Sequence, residues 1–159
     1  MEYKIREAVK NDYNDVNNLV KEVHKLHVEN RPDIYLDVDN PLLKDRFEDL
    51  LSSSNVKIFV VENIENKELT AYSIFQIMHT PDIHLLVPSK FVFIDDFCVK
   101  SSLHGKGIGK LLFKQIADYA KSEGASSIML TVSEFNKGAV KFYEKLGMST
   151  RNRKMELNL

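Results

Sequence analysis

Glycine recurs at alternate positions in His104-Gly105-Lys106-Gly107-Ile108-Gly109, between a β-like run, Phe91 to Val99, and a strongly helical one. A strand that ends in a glycine-rich turn and then opens a helix constrains both fold and chemistry. The first turn of a helix offers unpaired N–H donors and the positive end of the macrodipole, and glycine lets a phosphate reach them without meeting a Cβ. The stretch therefore predicts an α/β arrangement that holds a phosphorylated cofactor. Spacing narrows the choice of cofactor. A dinucleotide fingerprint needs G-x-G-x-x-G, and a Walker loop needs G-x-x-x-x-G-K followed by Ser or Thr. Neither is present, because the spacing is G-x-G-x-G and Gly109-Lys110 is followed by Leu111.

The rest of the chain bounds what surrounds this turn. With 159 residues, 43% of them apolar, it is read as one domain over 1–159 that fills a core without staples. A net charge of −1 gives no global attraction to nucleic acid or anionic lipid. A single cysteine, Cys98, excludes an internal disulfide framework and suits a reducing compartment. Met1 to Lys4 lacks the apolar run of a signal peptide, and no stretch approaches the ~18 apolar residues of a membrane span, so the expected location is cytoplasmic. No repeat or long linker divides the chain.

Periodicity gives the element order. Tyr3, Ile5 and Ala8-Val9 suggest a first strand. Asn11 or Asp12 then caps a helix carrying Val16, Leu19, Val20, Val23 and Leu26, which ends before Arg31-Pro32. A second helix is predicted from Asn40-Pro41, with Leu43, Phe47 and Leu50 on its apolar face. Val56 to Glu62 and Leu69 to Met78 read as a hairpin, and Phe91 to Val99 as a central strand with Asp95 and Asp96 inside it. The helix after the glycine loop ends at Gly124. Ser127 to Val132 is a further strand, Asn136 to Leu146 a short helix, and Lys154 to Leu159 a last edge strand. The order β-α-α-β-β-β-α-β-α-β predicts a mixed central sheet flanked by helices, antiparallel in its first half and parallel across the glycine-loop helix.

Three segments carry a resemblance. His104 to Gly109 resembles the R/Q-x-x-G-x-G/A loop of the GCN5-related N-acetyltransferases. Asn136, Ala139, Phe142, Tyr143 and Gly147 match that family's N-x-x-A-x-x-F-Y-x-x-x-G-F segment, with Met148 in place of the final aromatic residue. Ile94-Asp95-Asp96-Phe97-Cys98-Val99 resembles its bulged cofactor strand. The resemblance implies acetyl-CoA as co-substrate, with no metal. Phe97, Cys98 and Val99 would then offer backbone to the pantetheine arm. His104, Gly105, Lys106, Gly107, Ile108, Gly109 and Lys110 would hold the pyrophosphate, and Asn136 would face the pantetheine side. His104 is a departure, since the family has arginine or glutamine there.

The resemblance also implies direct acetyl transfer to an amine, with Tyr143 as general acid, because a phenol of pKa ~10 stays protonated at neutral pH. Asp95 is placed at the acceptor-facing acidic position, and Glu134 is a second candidate for taking the ammonium's proton through water. Regular strand alternation would send Asp95 and Asp96 to opposite faces, leaving Asp96 as a solvated strand end or salt-bridge partner. Lys114 reads as part of a solvated helix face, while Lys106 and Lys110 could add charge at the phosphates. Cys98 reads as an inert buried thiol, and His24-x-x-His27 lacks the third ligand of a zinc site. The predicted acceptor is a small cationic amine. The rivals are a protein amine, a silent acetyl-CoA-binding module and a nucleotide-binding regulatory domain. A homodimer is compatible with the C-terminal segment Met155-Glu156-Leu157.

Overall fold

Alternation of period two and of period 3.6 divides the chain as expected over most of its length. The computed structural model describes residues 2–159. Its elements are β1 (Tyr3–Glu7), α1 (Tyr13–Asn30), α2 (Lys44–Ser52), β2 (Val56–Asn63), β3 (Leu69–His79), β4 (Lys90–Val99), α3 (Ile108–Ser122), β5 (Ser127–Leu130) and α4 (Lys137–Lys145). One five-stranded sheet runs in the order β1-β2-β3-β4-β5. Its first four strands are antiparallel, and β5 lies parallel to β4 across the α3 crossover. The β2–β3 hairpin turns through Lys67, at φ 64°, while the Asn63 side chain accepts from the Glu65 N–H at 2.9 Å.

Both faces of the sheet are covered, so β2 and β3 read as nearly continuous apolar runs. Ile58, Val60, Tyr72, Ile74 and Cys98 face α1 and α2, packing on Val16, Leu19 and Phe47. Phe59, Val61, Ala71, Phe75, Val92 and Ile94 face α3, whose Ile108, Leu112, Ile116 and Ala120 recur at helical spacing. Each large aliphatic chain buried this way contributes about 2 kcal/mol. At the β1 end, the Arg6 guanidinium bridges Asp12 at 2.7 and 2.9 Å and Glu62 of β2 at 3.0 Å, locking the entry to α1 onto the sheet.

Four expectations are corrected. Asp12 does not cap α1 with its side chain. It closes a 3-10 turn at Lys10–Asp12, accepting from the Val9 N–H at 2.7 Å, because Arg6 draws its carboxylate toward the sheet. The second helix begins at Lys44, not Asn40. The Asn40 side chain is taken by Asn17 of α1 at 2.6 Å, so the chain bends at Pro41 and Leu42 and enters the helix only after an extended Leu43. The strand predicted over Ser127 to Val132 stops at Leu130. The edge strand predicted over Lys154–Leu159 does not form: these residues are exposed and irregular, and the segment is tied to the body through Glu156 and Arg31 at 2.6 Å.

Candidate active site

The glycine loop takes the shape its composition demands. Gly105 and Gly107 sit at φ 79° and 83°, a left-handed region that costs an L side chain ~1–2 kcal/mol, and a Cβ at either would meet only open space. Gly107 caps α3, and the first bond into the helix runs from the Leu111 N–H to the Gly107 carbonyl at 3.0 Å. Among the described residues, no backbone carbonyl takes the N–H groups of Ile108, Gly109 or Lys110. The Ile108 side chain is only 2% exposed, so this residue anchors the helix while its N–H stays free for an anion. Gly109 is closely packed for another reason: a Cβ there would lie 3.0 Å from the Phe142 ring of α4. Lys114 pairs with Asp118 at 2.6 Å, whereas Lys106 and Lys110 make no ion pair among the described residues. His104 turns toward β4, its Nε2–H donating to the Val99 carbonyl at 2.8 Å. A shorter ring thus braces the loop against the strand it leaves.

Strand β4 carries the acidic pair. Its pairing with β3 slips between Ile74 and Phe75, which face Asp96 and Ile94, so Asp95 is the extra residue of a bulge. The bulge breaks the alternation that would have sent the two carboxylates to opposite faces. Asp96 lies opposite Ile74, and Asp95 accepts from the Gln76 amide at 2.9 and 3.0 Å, two positions along the same face of β3. Asp96 is neither solvated nor salt-bridged. It is half-buried, accepts from the Tyr72 hydroxyl and, at 3.0 Å, from the Phe97 N–H. Desolvation pushes the Asp96 carboxyl up, against those two hydrogen bonds, and it pushes Asp95 up against the Gln76 bond.

Beyond the bulge β4 leaves β5. Their pairing ends at Ile94 and Leu130, so among the described residues the β5-side edge of Phe97–Val99 has no strand on it. Helix α4 closes the far side of this gap. Asn136 caps it by accepting from the Ala139 N–H at 3.1 Å, leaving its amide NH2 without a protein partner among the described residues. Phe142 and Tyr143 pack on Phe97 of β4, at ring-centre distances of 5.8 and 6.1 Å. Burial raises the Tyr143 phenol, and the nearby Asp96 and Cys98 reinforce this, so the hydroxyl keeps its proton. Cys98 is 5% exposed, with Sγ 3.6 Å from the Leu19 carbonyl and its thiol pushed up by burial. It has the environment of an inert thiol. Glu134 stands apart from the carboxylate pair, its side chain 86% exposed and 3.4 Å from Lys137.

A groove of about 330 Å³ starts at Asp95 and is lined by Gln76, Met78, Phe91, Phe93 and Met129. Gln76, Tyr72 and Met129 were not singled out in the sequence, because each reaches the site only through strand register. A second cavity, about 450 Å³ under the β3–β4 loop, holds none of the expected site residues. His24 and His27 each spend one ring nitrogen on a backbone carbonyl, of Leu36 and Val23 respectively, both at 2.8 Å.

Comparison with known proteins adds four observations. Residues 20–148 match the sequence profile of the Acetyltransferase (GNAT) family. The fold superposes with a TM-score of 0.95 on a tetramutant of the BH1408 protein of Bacillus halodurans, at 35% identity over 98% of this chain and 99% of that one. Thialysine N-epsilon-acetyltransferase of Sus scrofa is 38% identical over 56 residues, 35% of this chain and 33% of that protein. Glucosamine 6-phosphate N-acetyltransferase of Trypanosoma brucei brucei is 36% identical over 66 residues, 42% and 43% of the two chains. The chain thus aligns with less than half the length of these curated relatives.

Proposed function

Since the chain belongs to the acetyltransferase (GNAT) family, we propose that it transfers the acetyl group of acetyl-CoA to a small cationic primary amine. The observation that carries this reading is the convergence on one gap of three features: free N–H groups at the start of α3, an unpaired edge at Phe97–Val99, and the protonated phenol of Tyr143. Gly105 to Lys110 receive the pyrophosphate on backbone donors, with Lys106 and Lys110 adding positive charge. An amide-rich arm lies along Phe97, Cys98 and Val99 as an added strand, and the Asn136 amide donates to it. His104 holds the loop in register.

The acceptor side is read from the groove at Asp95. One carboxylate at the end of a channel walled by Met78, Phe91, Phe93 and Met129 suits an ammonium carried on an apolar stem. Asp95 holds the ammonium, and Glu134 adds negative charge at the outer rim. Tyr143 hands its proton to the departing sulfur. The thialysine and glucosamine 6-phosphate enzymes act on amines by their names, which supports this class of acceptor. The exposed C-terminal segment and the open edge of β5 suit a homodimer.

A screen of amines with acetyl-CoA, following free thiol, tests the reading. The expected result is CoA release with alkylamines such as spermidine or thialysine and little with aryl amines. CoA binding without release by any amine would make the chain a binding module instead.

A further inference from the structure

His27 closes the last turn of α1 in a setting that packing alone does not explain. Its Nδ1 lies 2.8 Å from the Val23 carbonyl, four residues back. A carbonyl oxygen only accepts, so Nδ1 carries a hydrogen, and Nε2 is the ring nitrogen left to take up a proton. Among the described residues Nε2 has no partner. The ring is gripped edgewise by Tyr35, from the loop after α1, at 4.9 Å and 69°, and by Phe135, next to the α4 cap, at 5.4 Å and 80°. It therefore stands where the α1–α2 loop meets the loop ahead of α4, within electrostatic range of the Asp96 carboxylate on the β4 bulge.

We infer that His27 is the catalytic base that takes the proton of the incoming ammonium at Nε2, an assignment that rests on the acetyl-transfer reading above. The ionisable groups on the surrounding elements support it. Arg31 is engaged by Asp33 and Glu156, and Glu134 lies beside Lys137 on the exposed rim. Tyr35 and Tyr143 are phenols. Asp96, within electrostatic range and without a salt-bridge partner among the described residues, stabilises the imidazolium once it forms, while Asp95, next along β4, holds the ammonium. An N–H bond of the ammonium breaks and its proton goes to Nε2. The freed lone pair forms the C–N bond as the C–S bond breaks. Sulfur takes the proton of Tyr143, and the phenolate recovers the second amine proton. His27 passes the first proton to water, so one acetylated amine, one CoA thiol and one proton leave.

The test uses initial rates with acetyl-CoA and a panel of primary alkylamines including spermidine and thialysine, from about pH 6 to about pH 9, on the wild type, His27→Phe and His27→Ala. Phenylalanine keeps the ring packing on Tyr35 and Phe135 but offers no nitrogen. Alanine leaves room for added imidazole. The expected result is a fall of about 10²-fold in kcat/KM near neutral pH for both variants, recovery as the amine's own deprotonation takes over at high pH, and rescue of His27→Ala by imidazole. CoA affinity by calorimetry should stay at the wild-type level, which separates this loss from misfolding. A His27→Phe enzyme with wild-type rates and pH profile, or a His27→Ala loss that imidazole leaves untouched, overturns the assignment while the transferase reading stands. A wild type that acetylates no amine in the panel overturns both.

Discussion

A phenol that is to protonate a departing thiolate must arrive at the reaction with its proton still on. Tyr143 meets that condition by burial among Phe97 and Phe142, with Asp96 further opposing the phenolate. Its aromatic neighbours hold the ring by its edges and leave the hydroxyl without a protein acceptor among the described residues. Tyr143→Phe is expected to lower kcat by about 10²-fold with little change in the KM for acetyl-CoA, since only proton delivery in the transition state is lost. Steady-state kinetics at saturating amine would show this. A full-rate variant would assign the proton to water. The residue was legible from its motif, because Asn136, Phe142 and Gly147 flank it at fixed offsets. Asp96 was not, since its place depends on a bulge that breaks the side-chain period locally.

Elements were legible where one period ran long enough to outweigh its neighbours, as in α1, α3 and the β2–β3 hairpin. Starts and ends were less so. Asn40 has the sequence profile of a helix cap, yet Asn17 on α1 takes its side chain, a tertiary bond that local propensity does not contain. The docking of α3 against α4 depends on a missing side chain. Gly109→Ala places a carbon 3.0 Å from the tip of the Phe142 ring and 3.4 Å from Val99, so the Phe142 side chain must give by a few tenths of an ångström. Weaker CoA binding and a loss of about 1 kcal/mol in chemical denaturation are expected. At the other end of the sheet, burial opposes the Asp12 charge, but hydrogen bonds from Arg6 and the Val9 N–H outweigh it and hold its carboxyl below the usual range. A depressed carboxylate contributes stability that is present above its unfolded pKa of ~3.9 and is lost as pH falls through the folded value. Asp12→Asn should therefore cost about 2 kcal/mol at neutral pH, with the gap to wild type closing in acid. Urea midpoints at the two pH values check the sign.

For the molecule as a whole, the sheet ends on β5, a short parallel strand with a bare outer edge, and the chain ends on an unpaired segment whose Met155 and Leu157 are 89% and 83% exposed. Alternation of apolar and polar residues from Lys154 to Leu159 is the pattern of a strand, which is why the sequence predicted one. The pattern lacks a partner strand among the described residues. Light scattering tests the homodimer proposed above: the full chain is expected at twice the monomer mass and a chain lacking residues 154–159 at the monomer mass, whereas a monomeric full chain overturns the dimer. Buried Cys98 gives the molecule a clock. With a single thiol sealed beneath α1, a thiol reagent reacts only when helix and sheet part, so the labelling rate counts openings of the protein. Labelling should be slow in native buffer and quicken with urea. CoA at a hundredfold excess over its Kd should slow it up to about a hundredfold, to the extent that each opening also releases CoA.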